Sequence, residues 1–133
     1  MPIEIAKEIK NLIPVFEKYP EVKLVYLFGS RVTGKIGPLS DHDFAIYLDE
    51  KDAKKRFELK LNIISEITKS LKTDSVDLVV LNDIDAPEMK YNVIKDGTLI
   101  LQVEPFKVIV EPRILNEYFD FHSLLLRHNL TKA

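Results

Sequence analysis

"LFGSRVTGKIGPLSDHDFAIYL", residues 27–48, changes character three times in twenty-two residues. An apolar run ends at Gly29-Ser30, a loop carrying Gly34, Gly37 and Pro38 follows, and a second apolar run starts behind Asp41 and Asp43. The flanks "VKLVYLF" (22–28) and "FAIYL" (44–48) are rich in β-branched and aromatic residues, which predicts two strands. Gly34, Gly37 and Pro38 are the residues a turn requires. Asp41 and Asp43 stand two apart at the start of a strand, so their side chains leave on one face and His42 on the other. Two like charges held that close are tolerated only with a proton or a cation between them. An all-oxygen donor set suits Mg²⁺ or Mn²⁺ better than zinc.

Working outward, Ile5, Ile9, Leu12, Ile13 and Phe16 recur at helical spacing, which predicts an amphipathic helix over 3–18, bent or ended near Pro14. A second helix is predicted over 51–71, with Phe57, Leu61, Ile64, Ile67 and Leu71 on its apolar stripe. "VDLVVL" (76–81) is a short continuous apolar run, the signature of a buried strand. Pro87 and Gly97 mark the start and stop of a third helix, and "TLILQV" (98–103) reads as a fourth strand. A terminal helix is expected from Pro112, with Ile114, Leu115, Tyr118, Phe119, His122, Leu125 and Leu126 as its apolar side. Helices alternating with strands predict an α/β (α+β) domain spanning 1–133, a mixed sheet of about four strands covered by helices.

Bulk properties narrow the function. The chain of 133 residues is long enough to bury a core without disulfide or metal staples. It has no cysteine, which excludes a disulfide scaffold and thiolate chemistry. A net charge of −2 from 19 basic and 21 acidic residues gives no strong nucleic-acid signal. No apolar run reaches membrane-spanning length and no secretory leader opens the sequence, so a cytoplasmic protein is expected.

A two-cation site calls for a third carboxylate, and Asp74, Asp77 and Asp83 are the candidates. Asp77 stands directly before "LVVL" as Asp43 stands directly before "FAIYL". If those strands are neighbours, both carboxylates reach one cation, and Asp77 is therefore selected. Gly29-Ser30 follows a strand and is expected to open a short helix at "SRVTG". There a phosphate could approach the backbone closely and meet free N–H groups. The Ser30 hydroxyl is a further donor, and Arg31 and Lys35 supply charge. A phosphate cradle and a carboxylate pair joined by one loop suit metal-assisted nucleotidyl or phosphoryl transfer. The other histidines, His122 and His128, are six apart and do not share a helical face as metal ligands would. The run "KKR" (54–56) reads as a solvated helix face, and Tyr91 as packed on the sheet.

Gly29-Ser30, ten residues, then Asp41-x-Asp43 resembles the signature of the DNA-polymerase-β-type nucleotidyltransferases. The resemblance extends through "VKLVYLFGSR", "SVDLVVLND", "APEMKYNVIKDGTLIL" and "NEYFDFHSLLLRH" to the minimal nucleotidyltransferases (MNT), the MntA-type antitoxins of HEPN/MNT toxin–antitoxin pairs. It implies that Gly29, Ser30 and Arg31 bind the triphosphate of ATP. It implies that Asp41 and Asp43 hold two Mg²⁺ ions, with Asp77 as third ligand and helper in taking the acceptor's proton. AMP would move from ATP to a hydroxyl, a tyrosine, of a HEPN-domain toxin. Thr33 stands where the family often has Arg, and His42 where it has an aliphatic residue. Two alternatives are transfer to a small molecule such as an aminoglycoside and a binding-only antitoxin without catalysis.

Overall fold

A computed structural model describes residues 3–28, 42–72 and 76–128, with backbone alone for 3–8 and His42. The elements follow in the order α1 (Ile3–Glu17), β1 (Val22–Phe28), β2 (His42–Leu48), α2 (Ala53–Leu71), β3 (Val76–Val80), α3 (Pro87–Asp96), β4 (Thr98–Gln102) and α4 (Phe106–Arg127), with a 3₁₀ turn at Leu81–Asp83. The four strands form one mixed sheet in the order β3-β2-β1-β4. β1 is antiparallel to both β2 and β4, whereas β2 and β3 run parallel.

β1 is central and its residues face alternately into two cores. A register shift between Val22 and Leu24 resets the alternation, so Val22, Val25 and Leu27 face one side and Leu24 and Tyr26 the other. On the first side Leu12 and Phe16 of α1 and Ile63 and Ile67 of α2 pack against Phe44, Ile46, Leu78 and Val80. On the second side Val93 of α3 and Val110 and Ile114 of α4 pack against Leu24, Tyr26 and Ala45. A sheet buried on both faces is why the strand sequences read as continuous apolar runs.

α1 continues through Pro14 to Glu17, so the proline does not end it. α3 starts on Pro87 and is capped by Gly97, whose N–H bonds to the Val93 carbonyl at 2.8 Å, as the sequence predicts. A Cβ on Gly97 would lie 2.4 Å from that carbonyl oxygen and 3.3 Å from the Leu27 carbonyl, so close backbone approach demands glycine here.

Two helices depart from expectation. α2 departs at its first turns: Phe57 and Leu61 of the predicted stripe are 57% and 50% exposed, whereas Ile67 is fully buried and Ile64 and Leu71 pack against the core as expected. Ile63, outside that stripe, is the other fully buried residue of the helix. Arg56 shares the face of Leu59, Ile63 and Ile67 at helical spacing. Its Nη2 lies 2.6 Å from Asp83 Oδ1, and its Nη1 donates to the carbonyls of Glu50 and Lys51. That anchor fixes the helix's rotation, and it shows Arg56, 13% exposed, to be no solvated member of the "KKR" run.

The second departure is that α4 begins at Phe106, not Pro112. Phe106 is held against the Tyr47 ring at 6.0 Å and beneath the Lys23 ammonium at 5.5 Å, which fixes the start of the helix. Pro112 removes the donor for the Val108 carbonyl, but Val108 is 67% exposed and water can serve that oxygen.

The phase of α2 is testable by urea unfolding. Ile63→Ala is expected to cost about 2–5 kcal/mol, and Phe57→Ser to stay within about 0.5 kcal/mol. The reverse ranking would place the sequence-predicted stripe inside.

Candidate active site

Three strands end or begin together at one end of the sheet. Phe28, the last residue of β1, pairs with Asp43, and Asp43 pairs in turn with Asp77 across the parallel β2–β3 ladder. Phe44 and Leu78, their chain neighbours, belong to the core beneath α1 and α2. Asp43 and Asp77 therefore leave on the opposite face, which also carries Phe28 and Tyr26. Neighbouring strands lie about 4.8 Å apart, so the two carboxylates start within reach of a common cation. Asp43 is half-buried and Asp77 exposed.

The remaining sequence-predicted residues, Gly29, Ser30, Arg31, Lys35 and Asp41, lie outside the described residues, as does the short helix expected at "SRVTG". The chain bonds Gly29 to Phe28 and Asp41 to His42, the residues flanking the Phe28–Asp43 pair. Of the alternative third carboxylates, Asp74 is also outside the described residues. Asp83 belongs to the other end of the sheet, where the Arg56 guanidinium engages both its carboxylate oxygens at 3.1 and 3.2 Å from Nε.

Among the described residues no three acidic, histidine or cysteine side chains gather into a metal-binding cluster. The Asp43–Asp77 pair supplies two carboxylates, donors of the kind that Mg²⁺ or Mn²⁺ takes.

Other candidates resolve differently. Tyr91 packs on α4, not on the sheet, stacking on Tyr118 at 3.9 Å with the rings 8° from parallel. His122 stacks on Tyr118 with ring centroids 5.8 Å apart, an aromatic contact. A cavity of about 440 Å³ opens among Tyr47, Asn82, Lys90, Arg113 and Glu117. It lies at the opposite end of the sheet, since Tyr47 is four residues along β2 from Asp43, about 13 Å. Periodicity gave no sign of this cavity, nor of the bonding around Asn82 and Arg56. The only signal for the latter is the polar pair Asn82-Asp83 directly behind an apolar strand.

The model of the polymerase β nucleotidyltransferase family matches residues 10–105. The chain belongs to that family. It is 32% identical over 105 residues to the protein adenylyltransferase MntA of Aphanizomenon flos-aquae, covering 71% of this chain and 67% of that one. The fold is shared with an antitoxin-containing MntA–HepT toxin–antitoxin mutant at a TM-score of 0.71, 20% identity, 90% of this chain and 93% of the other. A toxin–antitoxin structure with AMP-PNP gives 0.70 at 21% identity, again over 90% and 93% of the two chains. The complex of tri-AMPylated Shewanella oneidensis HEPN toxin with MNT antitoxin gives 0.68 at 18% identity and 92% of both chains. The chain is thus a nucleotidyltransferase homologous to MntA. None of its described helices is long and apolar enough to cross a membrane.

On the site's face, the Tyr26 hydroxyl donates to the Glu111 carboxylate and ties β1 to α4. Burial, with this hydrogen bond and the Glu111 charge, raises the Tyr26 phenol far above its ordinary value of 10.0. The folded state keeps the proton that the unfolded chain loses near pH 10, so the contribution is complete below pH 10 and declines above it. Relative to Tyr26→Phe, the wild type is expected to lose up to about 1.4 kcal/mol per pH unit above pH 10. Parallel unfolding curves at pH 8 and 11 check this; a pH-independent difference would contradict it.

Proposed function

We propose that this chain is the antitoxin of a HEPN toxin and inactivates it by Mg²⁺-dependent transfer of AMP from ATP to a tyrosine hydroxyl. The observation that carries the proposal is the Asp43–Asp77 pair, in register at the sheet end to which Gly29 and Asp41 are covalently joined. The likeness to MntA supplies the acceptor class.

In this reading Asp41, Asp43 and Asp77 hold two Mg²⁺ ions, while Gly29, Ser30 and Arg31 bind the triphosphate. The ions, when bound, offset charge on the phosphates and on the leaving group. The acceptor oxygen attacks the α-phosphorus of ATP and forms the new O–P bond. The bond from that phosphorus to the bridging oxygen breaks, and pyrophosphate leaves. Asp77, exposed at the edge of the pair, helps take the hydroxyl proton. The exposed aromatic and aliphatic residues of α4, with Phe119 54% exposed, favour a second reading in which the chain silences its partner by binding alone.

Incubation with a cognate HEPN protein, Mg²⁺ and ATP labelled at either the α or the γ phosphate separates the two. Label from the α position alone is expected on the partner. With Asp43→Asn the transfer is expected to fall at least about a hundredfold. No transfer, with the partner still silenced by Asp43→Asn, would establish the binding-only antitoxin.

A further inference from the structure

The parallel β2–β3 ladder that sets Asp43 against Asp77 consists of five register pairs, from His42↔Val76 to Ile46↔Val80. β3 is an edge strand of five residues, and among the described residues no strand pairs with its outer side. Parallel pairing is also the weaker kind per residue. A slip of one residue would turn Asp77 to the opposite face, among the apolar side chains beneath α1 and α2.

The strand partners continue past the ladder by an unusual route. β2 runs on to Leu48, while the chain after Val80 turns into the 3₁₀ segment Leu81–Asp83 and leaves the sheet. The Leu48 backbone is nevertheless satisfied on that side. Asn82 Oδ1 accepts from the Leu48 N–H at 3.0 Å, and Asn82 Nδ2 donates to the Leu48 carbonyl at 2.8 Å. The side-chain amide stands in for the peptide group that a longer β3 would have presented. The offset between Leu48 and Asn82 is 34 residues, and the offset between Asp43 and Asp77, 77 − 43, is the same. The next residue, Asp83, is gripped by Arg56, which also holds the carbonyls of Glu50 and Lys51 just behind β2.

We propose that Asn82 is a positioning residue: its paired bonds to Leu48 lock the β2–β3 register and thereby hold Asp77 opposite Asp43 for a divalent cation. The proposal rests on the reading of those two aspartates as cation ligands. It differs from a merely structural role because the effect is exerted on the geometry of one donor pair, five residues away along both strands.

The test uses the full chain, a cognate HEPN protein as acceptor, ATP and Mn²⁺ as the probe cation, with AMP transfer to the acceptor followed against Mn²⁺ concentration. Asn82→Ala is expected to raise the half-saturating Mn²⁺ concentration about tenfold or more, as loss of groups that orient metal ligands does. KM for ATP at saturating Mn²⁺ is expected to stay within about twofold. Asn82→Ser, too short to span both Leu48 groups, is the second variant should the first fold poorly, and is expected to behave alike. Ile114→Val, which loosens the other core beneath α3 and α4, is expected to leave the Mn²⁺ requirement unchanged.

Register is read independently in the cysteine-free chain by Asp43→Cys/Asp77→Cys, positions whose spacing suits a disulfide. Adding Asn82→Ala is expected to weaken that disulfide against glutathione severalfold. An unchanged Mn²⁺ requirement in both Asn82 variants, beside a raised one in Asp77→Asn, would overturn the proposal alone. An unchanged requirement in Asp77→Asn would overturn the cation-ligand reading and the proposal with it.

Discussion

Two carboxylates opposite each other on adjacent parallel strands are a constraint on everything around them. Like charges directly opposite each other on neighbouring strands do not favour their pairing, and a cation between them would. The sheet must therefore be held in register by other contacts. Phe44, Ile46, Leu78 and Val80 do this from beneath, as they pack on one face against α1 and α2. Asn82 and Arg56 do it from the far end of the same strands.

The same arrangement explains why the domain needs two cores. β1 is buried on both faces, and it delivers Phe28 to the edge where Asp43 and Asp77 start. One core fixes β2 and β3 to α2. The other fixes β1 to α3 and α4, reinforced by the Tyr26–Glu111 hydrogen bond and by Gly97 pressed against the Leu27 carbonyl. The two segments that lead to residues 29 and 41 are thus anchored by different helices on opposite sides of one sheet.

Much of this was legible because strands and caps leave local marks. β1, β2, β3 and β4 announced themselves by β-branched and aromatic runs, and α3 by Pro87 and Gly97. That Asp43 and Asp77 are neighbours was legible too, since their matching positions ahead of apolar runs are what a parallel pair in register produces. The rotation of α2 was legible only in part. Ile64, Ile67 and Leu71 face the core as their spacing indicates, but Phe57 and Leu61 are as apolar as Ile63, and the contact that turns them outward, Arg56 with Asp83, joins residues 27 apart. The start of α4 was hidden for the opposite reason: Pro112 reads locally as the first turn of a helix, and tertiary contacts at Phe106 start it six residues earlier. Asn82 carries no local signal beyond being polar, because its role is to complete a ladder with a residue 34 positions earlier.

The central claim is that Asp43 and Asp77 share a divalent cation. The most direct measurement is an anomalous difference map from crystals of the chain grown with Mn²⁺ and a non-hydrolysable ATP analogue. A shared cation gives a manganese peak between the two carboxylates, within about 2.0–2.3 Å of an oxygen of each, and with the triphosphate on its other side. Manganese bound elsewhere, with Asp43 and Asp77 untouched, would contradict it.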